Sequence, residues 1–303
     1  MKPGAVLALT GGSGFIGGHF AHAARARGYR IRHLGRQRPL AAAAGDEFRP
    51  LDLRAVDPHA PLLEGCDALI HLAAYIPRDH QDPAEAAHCW NVNALGTLHL
   101  LEMADRAGVA YVVQTSSANA YAPTSQPPDE DSALFPSSRG YYLGSKIMQE
   151  IYAGQYCRTA GLTLATLRLG SVYGPGQESG ALGNMVRAAK AGQPIRVVGS
   201  GRFGSDLVLV DDVIDALLLV LERDSSGPFN VGSGARTSIA ELAQALSDLT
   251  RSPIRRDMTE GESEWGFPAL NIDRLKALGY RPKSIGLGLR AMLESRGQVP
   301  FDA

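Results

Sequence analysis

The chain has 303 residues, 45% of them hydrophobic, enough to fill one large α/β domain or a domain carrying a smaller lobe. Lys and Arg total 30 against 31 for Asp and Glu, so bulk charge recommends neither nucleic acid nor an anionic membrane, and a small molecule is the expected ligand. Cys66, Cys89 and Cys157 are far apart and lack CxxC spacing, which suits buried thiols in a reducing cytosol. No apolar run reaches the ~18 residues a membrane span needs, and the first strand begins too early to leave room for a leader. The expectation is a cytoplasmic protein with no metal site.

The apolar run Ala5 to Leu9 reads as a buried strand. It passes through Thr10-Gly-Gly-Ser-Gly-Phe-Ile-Gly17 into an apolar helix. Gly12, Gly14 and Gly17 satisfy GxGxxG, while Gly11, Gly14 and Gly17 satisfy GxxGxxG; both registers describe a phosphate entrance. Missing Cβ atoms let a pyrophosphate approach the backbone, and the free N–H groups at the helix start hold it. A tight structural turn uses similar residues. The strand before and the helix after favour dinucleotide binding.

The helix ends at Gly28, and Tyr29 to Leu34 gives a second strand. NAD sites commonly place a carboxylate at the end of this strand to bind the adenosine ribose. Here Gly35 stands near that position, with Arg36 and Arg38 beyond it. That pattern favours the extra phosphate of NADP over NAD, although two solvated loop arginines look the same in sequence. A third strand, Glu47 to Leu51, leads into Asp52-Leu53, and a fourth, Asp67 to Ala73, is nearly all apolar, as in a parallel sheet covered on both faces. His71 within it reads as a packed, hydrogen-bonded histidine without a chemical role. Asp82 to Ala107 carries a long helical pattern interrupted by Asn91, Asn93 and Gly96, which are costly in a helix unless they pack or bond to something. The sheet resumes at Tyr111 to Thr115.

Ser116 and Ser117 follow at the edge where open α/β sheets bind ligands. Tyr142 and Lys146, four residues apart, share one face of a helix reaching about Arg158. A free phenol titrates near ~10, and a nearby ammonium favours its phenolate. Lysine thereby makes tyrosine a usable acid or base, and Ser117 can hold the reacting oxygen. Ser117, Tyr142 and Lys146 are the candidate catalytic set.

With these motifs the chain resembles the extended short-chain dehydrogenase/reductase family, the NAD-dependent epimerases and dehydratases. The resemblance rests on the glycine turn, Asp52-Leu53, His71-Leu-Ala-Ala74, Asn93-Ala-Leu-Gly-Thr97, Ser116 to Tyr121 and Tyr142 to Lys146. Arg168 to Pro175, Val210-Asp-Asp-Val213 and Phe229 to Ser233 extend it over almost the whole chain. It implies a doubly wound parallel Rossmann sheet with a smaller C-terminal substrate-binding α/β lobe. The dinucleotide domain would span residues 1–170, with 205–223 returning to it, and the lobe 171–204 and 224–303. It also implies a dinucleotide site lined by Gly11, Gly14, Phe15, Ile16, Gly17, Arg36, Asp52, Leu53, Leu72, Ala73, Ala74, Asn93, Tyr142 and Lys146. Relatives often dimerise through the two long helices, so a homodimer is expected.

A sixth strand covers Leu162 to Leu169, and helices are expected at Gly183 to Ala191, Val213 to Glu222, Ser238 to Leu249 and Asp273 to Leu278. By the same resemblance, Gly174-Pro-Gly176 approaches the nicotinamide side. Sugar-nucleotide epimerases of the family often have Asn where this chain has Ser171, Arg-Asp-Phe where it has Ser205-Asp-Leu207, and an arginine near Thr259. Arg187, Arg196, Arg202, Arg255 and Arg256 could replace the missing phosphate partners, and a solvated surface accounts for them as well. Ala118 and Asn119 after Ser117 replace the acidic pair of the family's dehydratases, which disfavours dehydration. The expected activity is hydride transfer at a carbonyl or alcohol carbon of a nucleotide-activated sugar, with ketoreduction slightly favoured over 4-epimerisation. The alternatives are a reductase or dehydrogenase of a smaller carbonyl compound, free sugar or sugar acid and, more remotely, a non-catalytic dinucleotide sensor.

Overall fold

The computed structural model describes residues 1–136, 138–177, 179–257 and 266–295. In chain order the first half gives β1 (Val6–Thr10), α1 (Phe15–Ala26), β2 (Arg30–Gly35), β3 (Glu47–Pro50), β4 (Ala68–His71), α2 (Glu85–Cys89), α3 (Gly96–Arg106) and β5 (Tyr111–Ser117). A π-helical turn, Trp90–Leu95, joins α2 to α3 without a break. Then follow α4 (Gly140–Ala160), β6 (Thr163–Leu169), β7 (Ser171–Tyr173), α5 (Gly180–Lys190), β8 (Ile195–Val198), β9 (Gly204–Leu209), α6 (Val210–Glu222), β10 (Gly227–Val231), β11 (Arg236–Ser238), α7 (Ile239–Thr250), β12 (Ile254–Asp257), α8 (Asp273–Ala277) and α9 (Ile285–Glu294).

Seven strands form one sheet in the order β10-β6-β5-β4-β1-β2-β3, every pair parallel. The strands β1, β4 and β5 are buried along their whole length, which follows from helices covering both faces and, for β1 and β4, from a nearly all apolar sequence. One core includes Leu7, Leu9, Phe20 and Val113 with the apolar side of α6. The other includes Ala8, Leu69, Val112 and the inward residues of α3 and α4. Strand order reverses between β1 and β4, and a ligand crevice opens at such a reversal, beyond the carboxyl ends of the strands.

Beyond β6 the chain builds a three-stranded sheet, β11-β9-β7, and a two-stranded one, β12-β8, around a third core shared by α5, α7 and α9. Helix α7 starts on a capping box, with Ser238 and Glu241 bonded to each other's backbone N–H. Two segments sit differently from the expected division of the chain. Gly227–Val231 lies within 224–303, yet it pairs with β6 as the edge strand of the main sheet. Gly204–Leu209, largely within the expected return at 205–223, pairs with β7 and β11, while its Val208 and the helix after it, α6, pack into the large core.

Candidate active site

The glycine turn follows β1 at the strand reversal. A β-carbon on Gly17 would fall 2.7 Å from the Gly11 carbonyl carbon, and one on Gly11, which sits at φ +72°, would fall 2.7 Å from Ala73 N. Those two glycines are demanded by the turn itself. Gly14 differs: an added β-carbon there meets only Gly11 O, at 3.3 Å. Gly14 is also the N-cap of α1 and offers no side chain to the helix's first N–H groups. A helix start with no side-chain cap, at a glycine whose missing β-carbon leaves the backbone uncovered, fits a pyrophosphate, so the residues present suit a dinucleotide. Phe15 and Ile16, half-buried, open the helix.

The other expected cofactor residues reach the same edge. Leu72, Ala73 and Ala74 follow β4, and Asp52-Leu53 follows β3. Arg54 grips the Asp52 carboxylate through both its Nε and Nη2 and through its backbone N–H. These hydrogen bonds hold Asp52 at about 2, well below an ordinary carboxylate. Arg36 is exposed beyond β2 and adds to that effect on Asp52. Arg38 is occupied in its own loop, donating to the carbonyls of Ala43 and Asp46 at 3.0 and 3.1 Å.

Asn93 lies in the π-helical turn and is 1% exposed. Its amide donates to Tyr75 O and to Ser145 Oγ, both at 2.9 Å, and its oxygen accepts Tyr75 N–H at 2.7 Å. Ser145 in turn donates to Tyr142 O at 2.7 Å. Both amide hydrogens are thus spent inside the protein. Asn93 acts on the site by tying the loop after β4 to the helix that carries Tyr142.

His71 extends the same bracing. Thr97 Oγ1 donates to Asn93 O at 2.7 Å, so it must accept from His71 Nε2 at 2.9 Å. That leaves Nδ1 as acceptor for Thr10 Oγ1 at 2.7 Å. Complete burial, together with the Lys146 charge, pushes His71 down to about 3, so it is neutral.

Ser117 closes β5, and its Oγ accepts Asn119 N–H at 3.3 Å. Tyr142 and Lys146 stand on α4. Among the described residues no hydrogen bond joins these three side chains to one another. Lys146 is 2% exposed and donates to Gln149 Oε1; burial lowers its amine to about 8, with Glu150 opposing the shift. Burial pushes the Tyr142 phenol up to about 12, and the cation that pulls it back is Arg139. In the chain alone the phenol is therefore a protonated donor, and the expected lowering by Lys146 is not what governs it. The His80 ring lies edge-on to Tyr142 with centroids 6.1 Å apart.

In the smaller lobe a cavity of about 730 Å³ is lined by Asn184, Met185, Gln193, Arg196, Phe203 and Ile239 among others. Asp206 is buried and takes up four hydrogen bonds, from Ser233 N, Ser233 Oγ, Gly234 N and Leu270 N. Arg196 and Arg255 both pair with Asp257. Arg236 donates to Arg202 O at 2.6 Å, its guanidinium carbon 2.8 Å from where a β-carbon on Gly204 would sit. The position near Thr259 lies outside the described residues.

Sequence reasoning did not single out Gln114, Gln149, Ser145, His80 or Arg236. A signal existed for Gln114, since a glutamine in a fully buried strand must find a partner. No motif spacing marks the others.

Three comparisons agree. The NAD dependent epimerase/dehydratase family matches residues 7–232. The chain is 33% identical over 302 residues to UDP-glucose 4-epimerase of Mycolicibacterium smegmatis, covering 91% of this chain and 93% of that protein. It is 29% identical over 311 residues to dTDP-4-dehydro-6-deoxy-D-allose reductase of Streptomyces bikiniensis, covering 94% of each. The solved UDP-glucose 4-epimerase of Thermus thermophilus, in complex with NAD, superposes with a TM-score of 0.81 at 26% identity, covering 96% of this chain and 98% of that one.

Proposed function

The chain belongs to the NAD-dependent epimerase/dehydratase family, and within it we propose a ketoreductase acting on a nucleotide-activated sugar, with Ser117, Tyr142 and Lys146 as its catalytic residues. A bound nicotinamide dinucleotide supplies the hydride. The chain's part is to hold the substrate oxygen and deliver a proton to it. Ser117 holds that oxygen through its hydroxyl. The proton comes from Tyr142 Oη, and the buried Lys146 ammonium limits the negative charge left behind.

The observation that carries the ketoreductase reading is the end of β2, where Gly35 stands in place of a carboxylate and Arg36 is exposed beyond it, since a reductase spends and releases NADPH whereas an epimerase keeps its NAD. The 33% identity to a UDP-glucose 4-epimerase supports a second reading, 4-epimerisation, in which the same phenol must also accept a proton.

The expected cofactor is NADP rather than NAD. Gly35 leaves the end of β2 without a carboxylate, and Arg36 lies exposed beyond it. The lobe cavity suits the nucleotide moiety, with Arg196 in its lining and Arg187 and Arg202 next in sequence to lining residues. The exposed aromatic pair Trp90 and Tyr152, with Leu95 and Ile151, supports a homodimer through the faces of the π-helical turn and α4. The three free thiols are buried, which accords with a cytoplasmic setting.

Incubation with NADPH or NADH and a panel of nucleotide-linked 4-keto sugars tests the reading. Loss of absorbance at the nicotinamide band, with NADPH preferred and one product configuration, is the expected result. Interconversion of nucleotide-sugar epimers without net cofactor consumption would replace it with the epimerase.

A further inference from the structure

Lys146 does not end in open space. Its Nζ donates to Gln149 Oε1 at 2.5 Å, Gln149 Nε2 donates to Gln114 Oε1 at 2.9 Å, and Gln114 Nε2 donates to Thr166 Oγ1 at 3.0 Å. None of the four residues is more than 5% exposed. Gln149 lies less than one helical turn after the lysine on α4, and Gln114 and Thr166 are register partners across β5 and β6.

The direction of this chain is forced. An ammonium has hydrogens and no lone pair, so Gln149 must turn its oxygen toward it. The Gln149 amide hydrogens then face Gln114, which must also present oxygen, leaving its own hydrogens for the Thr166 hydroxyl. Reversing either amide would set donor against donor in a site closed to water and leave buried groups unpaired.

We propose that Gln149 is a positioning residue for Lys146: with Gln114 and Thr166 behind it, Gln149 fixes where the amine sits and favours its charged form. The proposal rests on the reading of Lys146 as part of the catalytic set.

The charged and titratable groups around the amine leave that task to Gln149. Glu150, on the same helix, opposes the effect of burial, but its carboxylate is committed to Arg168 at 2.8 Å. His71, on β4, is neutral and bonded to Thr10 and Thr97. Tyr142 keeps its proton. Among the described residues, the lysine's hydrogen-bond acceptor is Gln149.

The test titrates the lysines of the cofactor-free protein by NMR after selective isotope labelling, with Lys146→Met assigning the resonance, and compares Gln149→Met and Gln149→Glu. Removing a hydrogen bond to the charged form should move the Lys146 titration down by about one pH unit in Gln149→Met, and a carboxylate should move it up. The alkaline limb of turnover should shift in the same directions. Should Gln149→Met misfold because Gln114 is left unpaired, the double variant Gln149→Met with Gln114→Met removes both partners and gives the same reading.

Unchanged titration in either folded variant overturns the proposal. Full turnover by Lys146→Met would instead overturn the catalytic reading, and the titration still decides whether Gln149 governs the amine.

Discussion

The carbonyl oxygen of Leu53 lies against Gly96, inside the space a β-carbon on that residue would need; the Leu53 carbonyl carbon would be 3.2 Å away. The contact explains why a glycine stands inside a long helix. It lets the start of α3 press on the segment after β3, where the adenosine half of a dinucleotide is expected.

Gly96→Ala should therefore push Asp52-Leu53 out of place. Because the crowding atoms are backbone, relief requires a shift of the segment, and such overpacking costs about 1–3 kcal/mol. A thermal melt should show a lowered Tm, and the added stabilisation by NADPH or NADH should shrink as well. A variant that melts lower but keeps the full cofactor-induced shift would separate packing from binding.

The proton-transfer role predicts a different pattern at Tyr142. Tyr142→Phe removes one hydroxyl from a residue whose ring packs against His80, so the fold and dinucleotide affinity should remain. Turnover should fall roughly 100- to 10,000-fold, the usual worth of a positioned acid or base. Ser117→Ala should be milder, since it removes a hydrogen-bonding group and leaves the acid. Steady-state kinetics beside a cofactor titration measures both, and a Tyr142→Phe enzyme at full turnover would exclude the assignment.

The proposed preference for NADP rests on the end of β2. Arg36→Ala should raise the KM for NADPH roughly tenfold, as expected for a charge-assisted hydrogen bond to phosphate, while changing that for NADH by less than about twofold. Arg38→Ala should act mainly through stability, because Arg38 donates to the carbonyls of its own loop. Equal losses with both dinucleotides on Arg36→Ala would leave the 2′-phosphate reading without support.

How far sequence reached the site follows from the physics of each signal. The parallel sheet was legible because fully buried strands such as Val6–Thr10 and Ala68–His71 read as nearly apolar runs. The disturbance at Asn91, Asn93 and Gly96 was legible as a cost without a cause, and the structure supplies one: a π-helical turn, the Asn93 bonds to Tyr75 and Ser145, and the Leu53 carbonyl. The small sheets were hidden because β7, β8, β11 and β12 have three or four residues each, too few to show a period. Helix α9 was hidden by Gly286 and Gly288, the latter packed where any β-carbon would strike the Tyr173 ring. The glutamine chain behind Lys146 could not be read at all, since its members meet only after α4 packs on β5 and β6.

The proposed dimer face makes a prediction about assembly. Trp90 and Tyr152 are each 43% exposed and meet edge to face at 6.5 Å, one on the π-helical turn and one on α4. Changing both to Glu would place charges in the centre of the apolar patch, so light scattering should report a monomer for the variant and a dimer for the parent. A parent that is monomeric at micromolar concentration would remove the basis for this interface.

His71 gives the last prediction, on pH. Its ring is held at about 3 by burial, against 6.5 for the free side chain. Between those values the unfolded chain binds a proton that the folded chain refuses. Stability contributed by the neutral ring is present above pH 6.5 and is lost as pH falls, by roughly 1.4 kcal/mol per pH unit in that window. His71→Asn should start less stable at pH 7, because Thr10 and Thr97 lose their common partner. Its stability should nevertheless fall less steeply than the parent's on going to pH 5. Urea unfolding at pH 7, 6 and 5 measures the difference in slope, to which the remaining histidines and carboxylates contribute equally in both proteins. Parallel slopes would mean that His71 carries its proton in the folded state and that its Nδ1 donates to Thr10 Oγ1 instead of accepting from it.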